Sequence, residues 1–323
     1  MVNLREYIEK GVVLVVQLTP FKSDEEIDYE GLRTNTQFLV EKGGPLILTP
    51  CGSTGEFYAL NDEEWKKVVK LVIDEVNGKL PVVVGASAAG TKACIEKCKY
   101  AEDLGANGVM VVLPYYHVPD EEGLYLHYKR IAESINISLV IYNNPDVSKI
   151  YMKPKILRKL AGEFDNIVCV KENTPYIPLL DSQVRESGLP ILQGRGEWWF
   201  GATYILGVKG YVSGYANYMP DFSLELLKAG LKKDHKKVEE LMNKLYIYES
   251  YLKEISNYYS PSTTILPPPY MDSTLWLSFQ KASMNILGLK GGKPRLPIRE
   301  LKEEHIKGLR EILIEKLNLK PIG

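Results

Sequence analysis

Three short segments of the sequence carry residues suited to the chemistry of a carbonyl group. Lys171 and Tyr142 each end a short apolar run, and a hydroxyl-rich glycine turn at residues 52–56 follows another such run. An amine held at the end of a buried strand is desolvated, so it loses its proton more easily and becomes a nucleophile toward carbonyl carbon. Together the amine, the phenol and the glycine turn indicate carbonyl chemistry through an imine.

Each of these features also has an ordinary structural explanation. Lysines often end strands because solvent begins there, and a tyrosine in that place is commonly a half-buried packing residue. A Gly-Ser-Thr-Gly turn is often only a turn, because glycine supplies positive φ, although its exposed amides are also able to hold a carboxylate. The imine hypothesis therefore depends on all three features lying at corresponding strand ends of one barrel.

Eight short apolar runs recur along the first part of the chain, with amphipathic stretches between them. Each run is nearly continuous in apolar residues, which favours parallel strands covered on both faces. The runs are residues 12–16, 46–49, 82–85, 108–113, 139–142, 167–171, 191–193 and 210–213. Eight strands alternating with helices predict an α/β fold, a (β/α)8 TIM barrel. A doubly wound sheet is the rival, but Gln17-Leu18-Thr19-Pro20 stands where its dinucleotide-binding glycine turn would lie.

The segments between the runs are predicted to be helices. Asn61 and Glu64 form a capping-box pattern at the start of one helix. A second helix is predicted over residues 91–104, a third begins at Asp120, and Pro154 stands in the first turn of a fourth.

The strand signal disappears after Pro220. Four further helices are predicted there, over residues 222–231, 236–255, 274–287 and 300–317, with a proline-rich break at residues 261–269. We therefore divide the chain into a barrel that carries the Schiff-base site, residues 1–220, and a C-terminal helical region packed on it, residues 221–323.

Composition and charge argue against several other classes of protein. The 323 residues carry 40 Lys and Arg against 41 Asp and Glu, so no basic excess indicates a nucleic-acid partner. No apolar stretch is long enough for a membrane span, and the amino terminus lacks a signal-peptide core, so we expect a cytoplasmic protein. The four cysteines and four histidines have no ligand-like spacing, so no metal is expected. An imine on Lys171 needs no cofactor.

Four segments stand in a particular order along the chain. They are Gly52-Ser53-Thr54-Gly55-Glu56, Pro114-Tyr115-Tyr116, Tyr142-Asn143-Asn144-Pro145 and Val170-Lys171-Glu172. Their order and spacing resemble the dihydrodipicolinate synthase / N-acetylneuraminate lyase family. The resemblance runs from about Leu14 to Asn217 and is weaker in the helical tail. It implies a TIM-barrel lyase that acts on a small 2-oxo acid.

The resemblance also implies a role for each matching residue. Lys171 would form an imine with C2 of the 2-oxo acid, and Tyr142 would relay protons to and from the carbinolamine and the leaving oxygen. Ser53, together with the backbone amides of Ser53 and Thr54, would hold the carboxylate of the 2-oxo acid. Tyr116 would extend the hydroxyl relay. In some members of the family the equivalent tyrosine enters a neighbouring subunit's site, which implies a homo-oligomer, either a dimer or a tetramer.

Departures from the family pattern concern the second half of the substrate. Dihydrodipicolinate synthases usually carry an arginine two residues after the proline of Tyr-Asn-x-Pro, where it grips the carboxylate of aspartate semialdehyde; this chain has Val147 there. Sugar-acid lyases often present Gly-x-Asp-Glu on strand seven, where this chain has Gly194, Arg195, Gly196 and Glu197.

Three of these strand-seven residues and one residue of strand eight are predicted to bind substrate. Glu197 matches the glutamate of the sugar-acid lyases, and Arg195 is able to offer a guanidinium to a distal carboxylate or hydroxyl. An ion pair on the surface is an equal explanation for Arg195. Gly194 belongs to the same segment, and Ser213 adds a hydroxyl at the end of strand eight.

Our leading hypothesis from the sequence is a class I, Schiff-base lyase that dehydrates or cleaves a 2-keto-3-deoxy sugar acid. Residues 55–60 and 113–116 resemble the keto-deoxy-sugar-acid dehydratase branch, although that branch often lacks the proline found here at Pro145. The first alternative is 4-hydroxy-tetrahydrodipicolinate synthase, which condenses pyruvate with aspartate semialdehyde. A further alternative is a non-catalytic barrel that binds a 2-oxo acid; the joint presence of Lys171, Tyr142 and Ser53 argues against it.

Overall fold

Eight parallel strands form the centre of the molecule. The computed structural model describes residues 2–259 and 275–322. The strands are β1 (Val12–Val16), β2 (Leu46–Thr49), β3 (Val83–Gly85), β4 (Gly108–Val112), β5 (Ser138–Asn143), β6 (Ile167–Glu172), β7 (Ile191–Gln193) and β8 (Gly210–Ser213). They are hydrogen-bonded in the order β2-β1-β8-β7-β6-β5-β4-β3. A parallel bridge between Leu48 and Val82 then joins β2 to the start of β3. The sheet closes on itself, so the predicted TIM barrel is confirmed.

Helices surround the barrel and follow it along the chain. They are α1 (Leu4–Glu9), α2 (Tyr29–Lys42), α3 (Asp62–Val76), α4 (Thr91–Asp103), α5 (Glu121–Ala132), α6 (Pro145–Ser148), α7 (Pro154–Glu163), α8 (Ile177–Glu186), α9 (Gly196–Thr203), α10 (Pro220–Leu231), α11 (His235–Tyr259), α12 (Leu275–Ile286) and α13 (Glu303–Glu311). A π-helical turn, Ile312–Lys316, continues α13, and short 3-10 turns occur at Phe57–Ala59, Tyr204–Leu206 and Tyr215–Asn217. The predicted proline-rich break at residues 261–269 lies outside the described residues.

The start of α3 shows how local chemistry sets a helix boundary. The side chain of Asn61 accepts a hydrogen bond from the backbone N–H of Glu64 at 2.9 Å, and the Glu64 carboxylate accepts one from the N–H of Asn61 at 2.9 Å. This reciprocal pair satisfies two backbone donors that the first turn of a helix leaves without partners. The predicted capping box is confirmed.

Side chains alternate between the inside of the barrel and the helix layer outside it. An inner cluster contains Leu14, Val140, Cys169, Leu192 and Val212, while most of their apolar neighbours along the strands pack against the helices. Because the period of a strand is two, a residue two places beyond an inner residue also points inward. Tyr142 follows Val140 at this spacing, and Lys171 follows Cys169. Both side chains therefore point into the barrel at the carboxyl ends of their strands.

The C-terminal helices pack on this barrel through a second buried cluster. It combines residues of α11 and α12 with Leu18, Tyr215 and Tyr218, which lie near the carboxyl ends of β1 and β8. The C-terminal region thus shares a core with the barrel mouth, and a domain boundary at residue 220 stays a prediction. In the described ranges, none of the helices combines the length and the apolar character needed to cross a bilayer.

Candidate active site

Lys171 lies at the end of β6 with its amine inside the barrel. Its backbone pairs with Tyr142 of β5 on one side and with Leu192 of β7 on the other. The residue is only 3% exposed, and this burial lowers the pKa of the Lys171 amine to about 7. At that pKa about half of the amine is neutral at pH 7, against less than about 0.1% of a solvated lysine. The fold therefore supplies a nucleophilic amine at neutral pH.

Tyr142 lies beside this amine on the neighbouring strand. The Nζ atom of Lys171 is 3.7 Å from the centroid of the Tyr142 ring. The side-chain amide of Asn144 donates a hydrogen bond to the Tyr142 hydroxyl at 2.8 Å. Burial raises the pKa of the Tyr142 phenol to about 12, and hydrogen bonds from Ser53 and Asn144 oppose this rise. The phenol is thus protonated at neutral pH and is held in a hydrogen-bonded chain that is able to move a proton.

The glycine turn, residues 52–56, brings Ser53 to this phenol. A side chain at position 52 would place its Cβ 2.5 Å from Cγ1 of Val16, so only glycine lets the turn approach the inner wall of the barrel. The backbone N–H of Glu56 donates to the carbonyl of Ser53 at 3.1 Å and closes the turn. Ser53 and Thr54 are half-buried at the barrel mouth. Their hydroxyls and amides offer donors for an anion next to the amine.

Arg195 lies close to the same phenol. Its Nη1 atom is 2.5 Å from Oδ2 of Asp146, and the Arg195 side chain is only 10% exposed. Nη1 also donates to the carbonyl of Asn173 at 3.4 Å. The charges of Arg195 and Asp146 both act on the Tyr142 phenol, which places this ion pair beside the site. The ion pair that the sequence allowed for Arg195 is therefore largely buried at the barrel mouth and does not lie on the open surface.

Glu197 and Ser213 lie on the other side of the barrel wall. Ser213 follows the inner residue Val212, so its side chain points toward the helices. Its hydroxyl donates to the Glu197 carboxylate, which also accepts a hydrogen bond from Ser223 of α10 at 2.7 Å. Burial raises the pKa of the Glu197 carboxyl to about 7. The structure therefore joins Glu197 and Ser213 to each other behind β8 and does not bring them to the Lys171 amine.

Gly194 and Tyr116 occupy two further places at the barrel mouth. The N–H of Gly194 donates to the carbonyl of Glu172 at 2.7 Å, and a Cβ on Gly194 would lie 2.6 Å from Oδ1 of Asn173. Tyr116 is 73% exposed on the loop after β4, with its ring edge-on to His117 at 4.8 Å between centroids. Tyr116 does not join the buried group around Tyr142 within the described part of this chain.

Asn144 is one residue of the site to which the sequence analysis gave no role. It donates to the Tyr142 hydroxyl, and its Oδ1 accepts a hydrogen bond from Asn173 at 3.3 Å. Its place between the asparagine and the proline of the Tyr-Asn-x-Pro segment was the available signal. Over residues 2–259 and 275–322, no group of three or more His, Cys, Asp or Glu side chains is arranged to hold a metal ion.

The chain is similar to known proteins along almost its whole length. The model of the dihydrodipicolinate synthetase family matches residues 9–265. The chain is 35% identical to the 4-hydroxy-tetrahydrodipicolinate synthase of Methanocaldococcus jannaschii over 304 residues, which cover 94% of this chain and 97% of the relative. It is 33% identical to the protein of the same name from Methanopyrus kandleri over 314 residues, which cover 96% and 97%.

Solved structures give the same result. The crystal structure of dihydrodipicolinate synthase from Aquifex aeolicus superimposes with a TM-score of 0.83 at 30% identity, over 97% of this chain and 100% of that chain. The dihydrodipicolinate synthase from Thermotoga maritima gives a TM-score of 0.81 at 30% identity, over 96% and 100%. With an amine, a phenol and a glycine turn at the carboxyl ends of its strands and with relatives that match it along almost its whole length, this chain belongs to the dihydrodipicolinate synthetase family, a family of lyases.

Proposed function

We propose that the protein is a 4-hydroxy-tetrahydrodipicolinate synthase, which condenses pyruvate with aspartate semialdehyde through an imine on Lys171. The observation that carries the imine is the buried amine, with its pKa lowered to about 7, 3.7 Å from the ring of Tyr142. The choice of reaction is supported by relatives of that name at 35% and 33% identity. These relatives favour the synthase over the 2-keto-3-deoxy sugar acid lyase that the sequence alone placed first.

The proposed reaction begins with pyruvate. Ser53 and the amides of Ser53 and Thr54 hold its carboxylate, and the neutral amine of Lys171 attacks C2. Tyr142 delivers a proton to the departing hydroxyl, so the carbinolamine loses water and leaves an iminium ion. The iminium ion is an electron sink, so the Tyr142 phenolate left by the previous step takes a proton from C3, which gives an enamine and restores the Tyr142 hydroxyl. No cofactor is needed for these steps.

The second substrate then adds to the enamine. C3 of the enamine attacks the aldehyde carbon of aspartate semialdehyde, and Tyr142 supplies a proton to the new alkoxide. The amino group of the semialdehyde next attacks C2 and displaces the Lys171 amine, which closes the ring and frees the enzyme. Tyr142 and its hydrogen-bonded neighbours are proposed to carry the protons of these steps, at the substrate oxygens and nitrogen and at C3.

Arg195 is proposed to bind the carboxylate of the aldehyde substrate. The usual arginine of the Tyr-Asn-x-Pro loop is replaced by Val147, which is 40% exposed. Arg195 brings a guanidinium near the same phenol from the start of α9, just after β7, and Asp146 orients it. Gly194 allows the loop after β7 to pack closely against Glu172 and Asn173, and Glu197 with Ser213 supports the end of β8 from behind.

A sugar-acid lyase remains a second candidate because of the same Val147. The charge of Arg195 is already paired with Asp146, and a paired guanidinium and carboxylate suit the hydroxyls of a sugar acid as well as a carboxylate. The imine on Lys171 would serve either reaction, by condensation in one case and by retro-aldol cleavage or dehydration in the other.

The imine is tested by trapping. The wild-type protein and Lys171→Ala are each incubated with pyruvate and reduced with borohydride, and the mass of the intact chain is then measured by mass spectrometry. We expect one pyruvyl adduct on the wild-type chain and none on the variant. An adduct on Lys171→Ala would contradict the proposed role of the amine. The absence of an adduct on the wild-type chain would contradict it as well.

The substrate is tested separately. Consumption of pyruvate and aspartate semialdehyde is compared with the release of pyruvate, or the formation of 2-oxoglutarate semialdehyde, from a panel of 2-keto-3-deoxy acids. Turnover of pyruvate with aspartate semialdehyde, and of none of the keto-deoxy acids, supports the synthase. Turnover with the keto-deoxy acids alone would replace it with the lyase.

We also propose a homo-oligomer, a dimer or a tetramer, in which the exposed Tyr116 reaches the site of a neighbouring subunit. Sedimentation measures the assembly, and mixing Tyr116→Phe chains with inactive Lys171→Ala chains tests the reach of the hydroxyl. Unchanged activity per active site across all mixtures would refute the shared site. A cytoplasmic location stays a prediction.

A further inference from the structure

A buried ion pair joins the C-terminal helix α12 to the glycine turn. The Nζ atom of Lys281 is 2.5 Å from Oε1 of Glu56, and the side chains are 1% and 0% exposed. Glu56 is the last residue of the turn that carries Ser53 and Thr54. Burying two charges is costly unless they are fully paired, so this contact constrains both partners strongly.

Three oxygens surround the ammonium group of Lys281. Besides Glu56, it donates to the carbonyl of Thr19 at 2.8 Å and to the carbonyl of Lys293 at 2.7 Å. Thr19 follows β1, and its hydroxyl donates to the carbonyl of Gly55 at 2.8 Å. Two hydrogen bonds to backbone carbonyls fix the position of the ammonium, and the ion pair holds the carboxylate of Glu56 against it.

The turn needs such support because of its backbone. Glu56 adopts a left-handed conformation, with φ 55°, which is sparsely populated by residues other than glycine and persists only where the surroundings hold it. Its second carboxylate oxygen accepts a hydrogen bond from the N–H of Arg295 at 3.2 Å. Both oxygens of the side chain are therefore held by the C-terminal region, from α12 and from the loop after it.

We infer that Lys281 is a positioning residue for the reaction, acting through Glu56 to orient Ser53 and Thr54 toward the carboxylate of the 2-oxo acid. This inference rests on the proposed function, because it assigns a cause to the binding of pyruvate by the glycine turn. A buried ion pair adds little stability compared with a well-packed apolar pair. What it supplies here is a fixed location for the turn, on which the binding of the carboxylate by Ser53 and Thr54 depends.

The test uses three variants and one readout of binding. Lys281→Met keeps the apolar stem and removes the charge. The double variant Lys281→Met/Glu56→Gln leaves no buried charge without a partner, so it tests the inference even where the single variant fails to fold. Ser278→Ala, on the same helix, removes a different buried hydrogen bond, which Ser278 donates to the carbonyl of Arg299 at 2.6 Å. It serves as the matched control for damage to the C-terminal region.

Pyruvate affinity is measured as the concentration that gives half-maximal borohydride trapping. We expect this concentration to rise by about 10-fold or more in both Lys281 variants, with the trapping rate at saturating pyruvate within about 3-fold of wild type. The double variant should regain thermal stability relative to Lys281→Met without regaining affinity, which a purely structural role would not produce. Ser278→Ala should bind pyruvate as the wild type does.

Wild-type affinity in the double variant would overturn the inference, and so would an equal loss of affinity in Ser278→Ala. Failure of the wild-type chain to form an adduct is a different result, because it would refute the proposed function and the inference together.

Discussion

The burial of Lys171 predicts a dependence of stability on pH that one substitution should remove. Burial lowers the pKa of this amine to about 7 in the folded chain, whereas an unfolded lysine titrates near ~10.4. Between these values the unfolded state binds more protons than the folded state, so the free energy of unfolding rises with pH across this window. The cost of burying the ammonium is fully present below pH 7 and is relieved as pH approaches ~10.4.

The size of the effect follows from the shift. One pKa unit corresponds to about 1.4 kcal/mol, so the cost below pH 7 is about 4–5 kcal/mol as an upper value. Lys171→Met keeps a side chain of similar length and removes the titrating group. We expect the variant to be more stable than the wild type at pH 7, and we expect this difference to shrink by about 3–4 kcal/mol between pH 7 and pH 10.

Urea unfolding followed by the fluorescence of the four tryptophans measures the difference. The wild type and Lys171→Met are compared at each pH from 6 to 10, with Lys149→Met as the control, because Lys149 is exposed and loses little hydration on folding. A difference between wild type and Lys171→Met that stays constant over this range would refute the burial of a charged amine. It would also remove the physical basis for a nucleophile at neutral pH.

Three further substitutions test other parts of the site. Tyr142→Phe should lower turnover by about 10²–10⁴ while the pyruvate adduct still forms, because only the proton relay is lost; unchanged turnover would remove Tyr142 from the mechanism. Arg195→Ala should raise the KM for aspartate semialdehyde by about 10–100-fold, since a charge-assisted hydrogen bond contributes about 1.5–3 kcal/mol, and an equal rise in the KM for pyruvate would contradict a distal role. Burial raises the pKa of the Glu197 carboxyl to about 7, so the folded wild type loses stability as pH rises through 7 and this carboxyl ionises. Glu197→Gln carries a neutral side chain at every pH. Its free energy of unfolding should therefore gain about 2–3 kcal/mol over that of the wild type between pH 5 and pH 8. Thermal unfolding at both pH values measures this gain, and a pH-independent difference would show that Glu197 is ionised throughout.

Much of the barrel could be predicted because its strands are nearly continuous apolar runs. The bounds of β1, β2, β7 and β8 are those predicted from the sequence. β5 and β6 each continue one residue further, to Asn143 and Glu172. The sequence analysis missed these last residues because they are polar and lie outside the apolar runs. In the structure the Asn143 amide donates to the Glu172 carboxylate at 2.8 Å on the outer face of the sheet. Two buried polar groups on adjacent strands satisfy each other's hydrogen-bonding capacity. A single sequence does not show which residues are paired in this way.

The site was predicted best where the position along a strand and the direction of the side chain agree. Lys171 and Tyr142 end their strands on the inner face, and the structure brings them together. Ser213 also ends a strand, but it faces the helix layer and bonds to Glu197 there. A strand covered on both faces is apolar throughout, so its sequence does not reveal which residues point inward. The contact of Lys281 with Glu56 joins distant parts of the chain, and no local pattern indicates it.

The closure of the sheet determines when the active site is assembled during folding. Ser53 follows β2, whereas Tyr142 and Lys171 end β5 and β6, and the seam between β2 and β3 is sealed by the bridge from Leu48 to Val82. β1 also pairs with β8, whose residues follow those of all the other strands in the chain. A nascent chain therefore cannot complete the ring until β8 has emerged from the ribosome. With the proposed imine on Lys171, a brief pulse of pyruvate and borohydride during refolding would label the molecules whose ring is complete, and the labelled fraction would report the rate of ring closure.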